Sequence, residues 1–219
     1  MRSHPVLALA ALLTGCTGYL MPPSTLHPSP VEADAAGVSA GVAAGAWANP
    51  DWDVRESFLA LPYGEGWVRR SVGPGQLQIQ MSPGMGTLGY RWDVGGPGQP
   101  SRFALQPALS GGLYRLADSS SEALTAFMPS LSGLVFVGAE RSGYLAPRVG
   151  YLREATWGDG DIESLDHLLL LGGSGGYVHA GERFLTSVEL SVNHAFVFSG
   201  DSEVRLWWIT PSVGFQRAD

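Results

Sequence analysis

From about Gly37 onward, apolar and polar residues alternate with a period of two along most of the chain. Leu77, Ile79 and Met81 alternate with Gln78 and Gln80, and Leu88, Tyr90, Trp92 and Val94 with Thr87, Gly89, Arg91 and Asp93. The same rhythm recurs in Phe103, Leu105, Pro107 and Leu109 around Gln106, and in Leu145, Val149 and Tyr151 around Arg148. It returns in Phe184, Val188, Leu190 and Val192 around Glu189, Ser191 and Asn193, and in Trp207, Ile209, Val213 and Phe215. Successive side chains of a strand point to opposite faces, so each segment has one apolar face and one polar or small face. The pattern predicts ten strands, over 37–47, 66–72, 76–82, 86–94, 102–114, 131–140, 143–154, 167–179, 183–196 and 203–216. Segments 66–72, 131–140 and 167–179 alternate poorly, which leaves a count of eight open.

The connections carry their own signal. Those after the odd strands include the long polar stretches 48–65, 115–130 and 155–166, whereas those after the even strands are 73–75, 95–101, 141–142 and 180–182. The expected fold is all-β, an antiparallel up-and-down barrel embedded in a membrane, with the long loops outside the cell and the N-terminus in the periplasm. Several strands approach the 9–11 residues that a tilted strand needs to cross a bilayer. Trp47, Trp67, Tyr114, Trp157, Phe196 and Trp207 are expected near the outer rim, and Trp92, Phe103, Tyr144, Tyr177, Phe184 and Phe215 near the inner rim. Ser119 to Phe127, with Ser121 as a candidate N-cap, suits one short helix.

The N-terminus reads differently. Met1-Arg2-Ser3-His4-Pro5 leads into an apolar run from Val6 to Leu13, too short to span a bilayer as a helix but suited to a secretory signal. Leu13-Thr14-Gly15-Cys16 follows, and Cys16 is the only cysteine. These four residues resemble the lipobox of bacterial lipoproteins. The resemblance implies that Cys16 becomes the first mature residue and carries acyl chains, and Thr17 in place of an aspartate implies sorting to the outer membrane. Residues 17–35 are rich in proline, serine and alanine and read as an extended tether. The expected organisation is a signal peptide over 1–15, a lipidated tether over 16–36 and a barrel over 37–219. The barrel segment resembles the small outer-membrane barrels of the OmpA and OmpX type, in pattern rather than in a signature motif. Val213-Gly214-Phe215 is similar to the C-terminal assembly signal of that class, from which the chain departs by continuing through Asp219.

Composition narrows the function. Charged residues make up only 15% of the 219 residues, and the net charge of −7 argues against a nucleic-acid partner. The expected partners are outer-membrane lipid and, through the surface loops, an envelope protein complex. No cofactor is implied. Asp159, Asp161 and Glu163 are clustered oxygen donors of the kind calcium takes, but the stretch lacks the length and terminal glutamate of an EF-hand loop and reads better as a solvated acidic loop. His194 lies near Ser191 and Glu189 in sequence, but parity puts it on the opposite face, so a hydrolytic dyad is disfavoured. The inward face offers Gln78, Gln80, Arg91, Asp93, Gln106, Arg148, Glu189 and Asn193, a set suited to pairing within a filled lumen more than to lining a transport path. The expected role is structural or interactive. The alternatives are a lipid-tethered soluble periplasmic barrel with an apolar ligand inside it and, behind that, a lipid-modifying enzyme.

Overall fold

A computed structural model describes residues 26–28, 34–48, 58–82, 85–94, 103–115, 123–138, 142–158, 161–181, 184–197 and 205–217. Ten strands follow one another: β1 Ala35–Ala48, β2 Phe58–Val72, β3 Gly75–Ser82, β4 Met85–Asp93, β5 Phe103–Arg115, β6 Ala123–Val137, β7 Gly143–Gly158, β8 Asp161–Ala180, β9 Phe184–Val197 and β10 Arg205–Arg217. Each pairs antiparallel with its sequence neighbours, and β1 pairs with β10, so the sheet closes into a barrel with no free edge. Closure gives every strand a partner on both sides, which satisfies backbone groups that an open edge would leave bare. The count is ten, not eight.

The two ends of the barrel differ. One carries the tight β2–β3 turn, where Gly73 takes a positive φ of 60°, and receives the start of β1 and the end of β10. This is the turn end. There Asp34 accepts the Ser71 N–H at 2.7 Å and pairs with Arg70 at 3.5 Å, tying the entry of β1 to β2. The Ser71 N–H bond holds the exposed Asp34 carboxyl below the usual carboxylate range. The opposite, loop end is uneven, because β3 has 8 residues and β8 has 20.

Several expected loops are strand. Residues 58–65 belong to β2, and 123–130 to β6, which pairs with β7 from Ala123↔Trp157 onward. The expected helix over 119–127 is therefore extended chain from Ala123; its first part lies outside the described residues. The expected loop over 155–166 is mostly the β7–β8 ladder, paired up to Gly158↔Asp161 with an irregularity between Thr156 and Trp157. Polar side chains do not prevent pairing, because the ladder is made by the backbone.

Burial follows the strand period, and its sense is inverted relative to a water-soluble barrel. Val188, Leu190 and Val192 are exposed on the outer face, while Glu189, Ser191 and Asn193 are buried in the lumen. The poorly alternating strands have apolar residues on both faces. Leu134 and Phe136 of β6 point inward into one cluster with Tyr144, Ala146, Val178 and Leu185. Leu168 and Leu170 of β8 point inward into a second, nearer the loop end, with Met128, Leu152, Ala195 and Trp208.

Outer aromatics gather at the turn end on five strands, where Trp92, Phe103, Tyr177, Phe184 and Phe215 are all exposed. Nearer the loop end, His194 stacks on Trp207 at 3.9 Å and lies against Phe196 at 3.9 Å. Two rim expectations are corrected. Trp67 and Tyr144 are buried in the lumen, 3% and 2% exposed, and both sit in its turn-end half. They are drawn inward by polar and ring partners described below. The side chains of Trp47 and Tyr114 lie outside the described ones.

Candidate functional site in the barrel lumen

Inward residues of β7 and β9 meet at Glu189. Its strand, β9, places Ser187, Glu189, Ser191 and Asn193 on one face at successive inward positions. The Glu189 carboxylate accepts hydrogen bonds from the hydroxyl of Tyr144 on β7 and, at 2.8 Å, from that of Ser191. Because the Ser191 hydroxyl donates to Glu189, Ser174 on β8 is the donor in the 2.6 Å Ser174–Ser191 bond. Tyr144 reaches across β8 to Glu189 because Gly176 leaves room; a Cβ there would stand 2.5 Å from the Tyr144 Oη.

The carboxylate's remaining donors come from outside the sheet. Leu26 N–H lies 3.0 Å from each carboxylate oxygen, and His27 N–H lies 2.8 Å from Oε2. Residues 26–28, expected within an extended tether, are buried inside the barrel. Arg69 of β2 grips the same two residues from the other side. Its Nη2 donates to the Leu26 carbonyl at 2.8 Å and to the His27 carbonyl, its Nη1 to Gln216 at 3.0 Å, and its Nε to Gln78 at 3.1 Å. A planar guanidinium with five fixed donors suits this multiple role. The His27 ring stacks on Trp67 with centroids 5.5 Å apart, and Arg69 lies 5.3 Å above that indole. His27 Nδ1 hydrogen-bonds Ser187 at 2.7 Å and Nε2 hydrogen-bonds Ser212 at 3.0 Å. Leu26 packs in the turn-end apolar cluster with Leu134, Phe136 and Tyr144.

A polar layer continues toward the middle of the barrel. Gln78 donates to Gln80 at 3.0 Å, and Gln80 to Glu65. Arg91 pairs with Asp93 at 3.3 Å, both side chains almost wholly buried, and Arg91 also lies over the Phe136 ring. Arg148 donates to Ser132 at 3.2 Å, and Thr87 bonds Ser110 at 2.8 Å. Among the described buried residues, the acids Glu65, Asp93 and Glu189 are matched in number by Arg69, Arg91 and Arg148. Between Leu26, Gln78, Gln80, Gln106 and Arg148 the free space is about 10 Å³, room for roughly one water.

All eight residues expected to face inward are buried: Gln78, Gln80, Arg91, Asp93, Gln106, Arg148, Glu189 and Asn193. Glu65, Trp67, Arg69, Tyr144 and His27 complete the site and were not anticipated. His194 sits on the outer face and does not approach Glu189 or Ser191. A different histidine, His27, meets Ser187 and Ser212, but Glu189 accepts from its backbone N–H rather than its ring. Among the described residues the two nitrogens of that imidazole bond Ser187 and Ser212 and no carboxylate, the orienting group of a catalytic triad. The arrangement clamps the backbone of Leu26 and His27 between Glu189 and Arg69. Of the calcium candidates, Asp159 lies outside the described residues, while Asp161 and Glu163 fall in strand β8 with side chains outside the described ones. Cys16 also lies outside the described residues.

No protein-family model matches the chain, and no curated protein matches it. Solved structures do. The chain is similar to Ail, the attachment invasion locus protein of Yersinia pestis, at 10% identity and a TM-score of 0.43, over 84% of this chain and 98% of that one. It is similar to Neisserial surface protein A at 12% identity and a TM-score of 0.43, over 82% and 95%. It is also similar to an outer membrane channel from Pseudomonas putida F1, at 10% identity and a TM-score of 0.45, over 90% and 99%.

Proposed function

We propose that this protein is a bacterial outer-membrane β-barrel with a closed lumen, anchored additionally by lipid on Cys16, that serves a structural or interaction role at its loop end. The observation that carries the reading is the inverted burial. On β10, Trp207, Ile209, Val213 and Phe215 face outward and exposed, while Thr210, Ser212 and Gln216 are buried. From Trp207 to Arg217 the outer face climbs roughly 25 Å at about 3.3 Å per residue and a 40° tilt, which matches the height of an outer-membrane apolar band. Soluble monomers rarely expose apolar surface this continuous. A soluble ligand-binding barrel needs the opposite arrangement, with its apolar face inside.

The charge-matched, partly apolar lumen favours structure or interaction over transport. Its charges are matched, and the two inward apolar clusters occupy different heights. Beyond the band, β8 continues from His167 to Asp161, roughly 15 Å further at the same tilt. With β6 and β7 it forms a raised wall at the loop end, suited to presenting a surface to a partner.

Two measurements test the reading. Mass spectrometry of the mature protein is expected to show an acylated N-terminal Cys16; an unmodified N-terminus beyond that residue removes the anchor. A Cys16→Ala form carrying a conventional signal peptide is expected to stay with membranes through carbonate and urea washes. Its release would sink the embedded barrel.

A further inference from the structure

We propose that the turn-end half of the lumen is a peptide-binding socket, and that its resident ligand is the chain's own Leu26-His27-Pro28. The inference does not rest on contact with lipid, since every group it uses is inside the barrel.

Three observations separate this segment from ordinary core. The barrel is complete without it: β1 pairs with β10 and β2, and no strand needs residues 26–28 to close. The segment is nonetheless read as a ligand would be. Its two successive N–H groups go to one carboxylate and its two carbonyls to one guanidinium, so Glu189 and Arg69 clamp the peptide backbone between opposite charges. Side-chain selectivity is added by a stacking platform with two hydroxyls for His27, and by an apolar cluster for Leu26.

Second, the socket is shaped around the histidine. A Cβ at Gly214 would stand 2.6 Å from the Ser187 Oγ and 2.8 Å from the His27 Nδ1, so only glycine leaves the ring its place. Third, among the described residues His27 is the single non-glycine with a positive φ, 32°. Such a conformation persists where the surroundings impose it. The segment is held by side-chain clamps and not by strand pairing, so taking it out leaves the barrel's ladders intact. The apolar cluster of Met128, Leu168, Leu170 and Trp208 lies on the loop side of the socket.

The test uses the full chain in detergent micelles with Cys16→Ala. In the first arm, His27→Cys with Ser212→Cys is treated with a short bis-methanethiosulfonate linker. An intramolecular cross-link in most molecules is expected, and none for His27→Cys with Ser110→Cys. Absence of the first cross-link would overturn the seating. In the second arm, a fluorescent synthetic peptide spanning Pro22 to Val31 is titrated against a chain carrying Leu26→Gly and His27→Gly. It should bind this chain and be lost on adding Glu189→Gln. The parent should bind it about 10²-fold more weakly or less, because its own tethered segment competes at an effective millimolar concentration. Gly214→Ala should weaken peptide binding by tenfold or more in the Leu26→Gly/His27→Gly background. Folding of each variant is checked by its heat-modifiable gel mobility. A folded, emptied chain that ignores the peptide overturns the socket, and a parent that binds it equally well shows that the segment does not occupy it.

Discussion

Glu189→Gln changes one oxygen to an amide nitrogen at the point where four donors converge. Glu189 is 1% exposed and accepts from the N–H groups of Leu26 and His27 and from the hydroxyls of Tyr144 and Ser191. The glutamine keeps one accepting oxygen. Its amide group must face donors, so about two bonds to a charged group are lost, each worth about 1.5–3 kcal/mol. The lumen is left with two acids against three arginines among the described buried residues, and breaking such a balance typically costs about 3–5 kcal/mol. A loss of about 3–5 kcal/mol is therefore expected. Urea-induced unfolding from lipid vesicles, followed by tryptophan fluorescence, reads it directly. Tyr144→Phe measured alongside should lose about 1.5–3 kcal/mol, and the double variant less than the sum, because the two groups share one bond. A Glu189→Gln loss under about 1 kcal/mol would refute the reasoning, since it would mean that the carboxylate does not organise the turn-end half of the lumen.

Three further outcomes follow from the same geometry. Gly176→Ala places a methyl 2.5 Å from both the Tyr144 Oη and the Val188 carbonyl, and a loss of about 1–3 kcal/mol in the same unfolding assay is expected. Leu190→Arg on the outer face should cost about 2–4 kcal/mol and impair assembly more than Ser191→Arg, to be read as folded fraction by gel mobility. Epitope tags within 49–57, 116–122 or 198–204 should be labelled on intact cells, and tags within 95–101 should not; the reverse pattern would invert the barrel.

Much of this architecture is legible in the sequence. Period-two alternation marks seven of the ten strands clearly, while β2, β6 and β8 alternate poorly because apolar residues occupy both of their faces; parity alone assigns Gln78, Arg91, Glu189 and their companions to one face. Strand ends are harder to read. Above the apolar band neither face must be apolar, so alternation fades over 58–65, 123–130 and 155–166 while backbone pairing continues. The helix expected over 119–127 rests on capping chemistry, which the β6–β7 ladder overrides from Ala123. Asp159-Gly160 is a two-residue hairpin signal, and it would have shortened the acidic loop.

The site was half visible for a related reason. Trp67 and Tyr144 break the polar-inward rule, and aromatic residues near strand ends invite a rim assignment. The role of His27 is not readable at all, because its partners Ser187 and Ser212 are 160 and 185 positions away. A proline-rich stretch gives no periodicity from which such contacts might be inferred.

The central claim is that the outer, apolar face of the barrel meets lipid. Single cysteines at positions 188 to 193 in a Cys16→Ala background, each carrying an environment-sensitive fluorophore, test it in vesicles containing lipid-borne quenchers. Strong quenching is predicted at 188, 190 and 192, whose native side chains are exposed, and weak quenching at 189, 191 and 193, which are buried. Uniformly absent quenching, or quenching at the odd positions instead, would contradict the account.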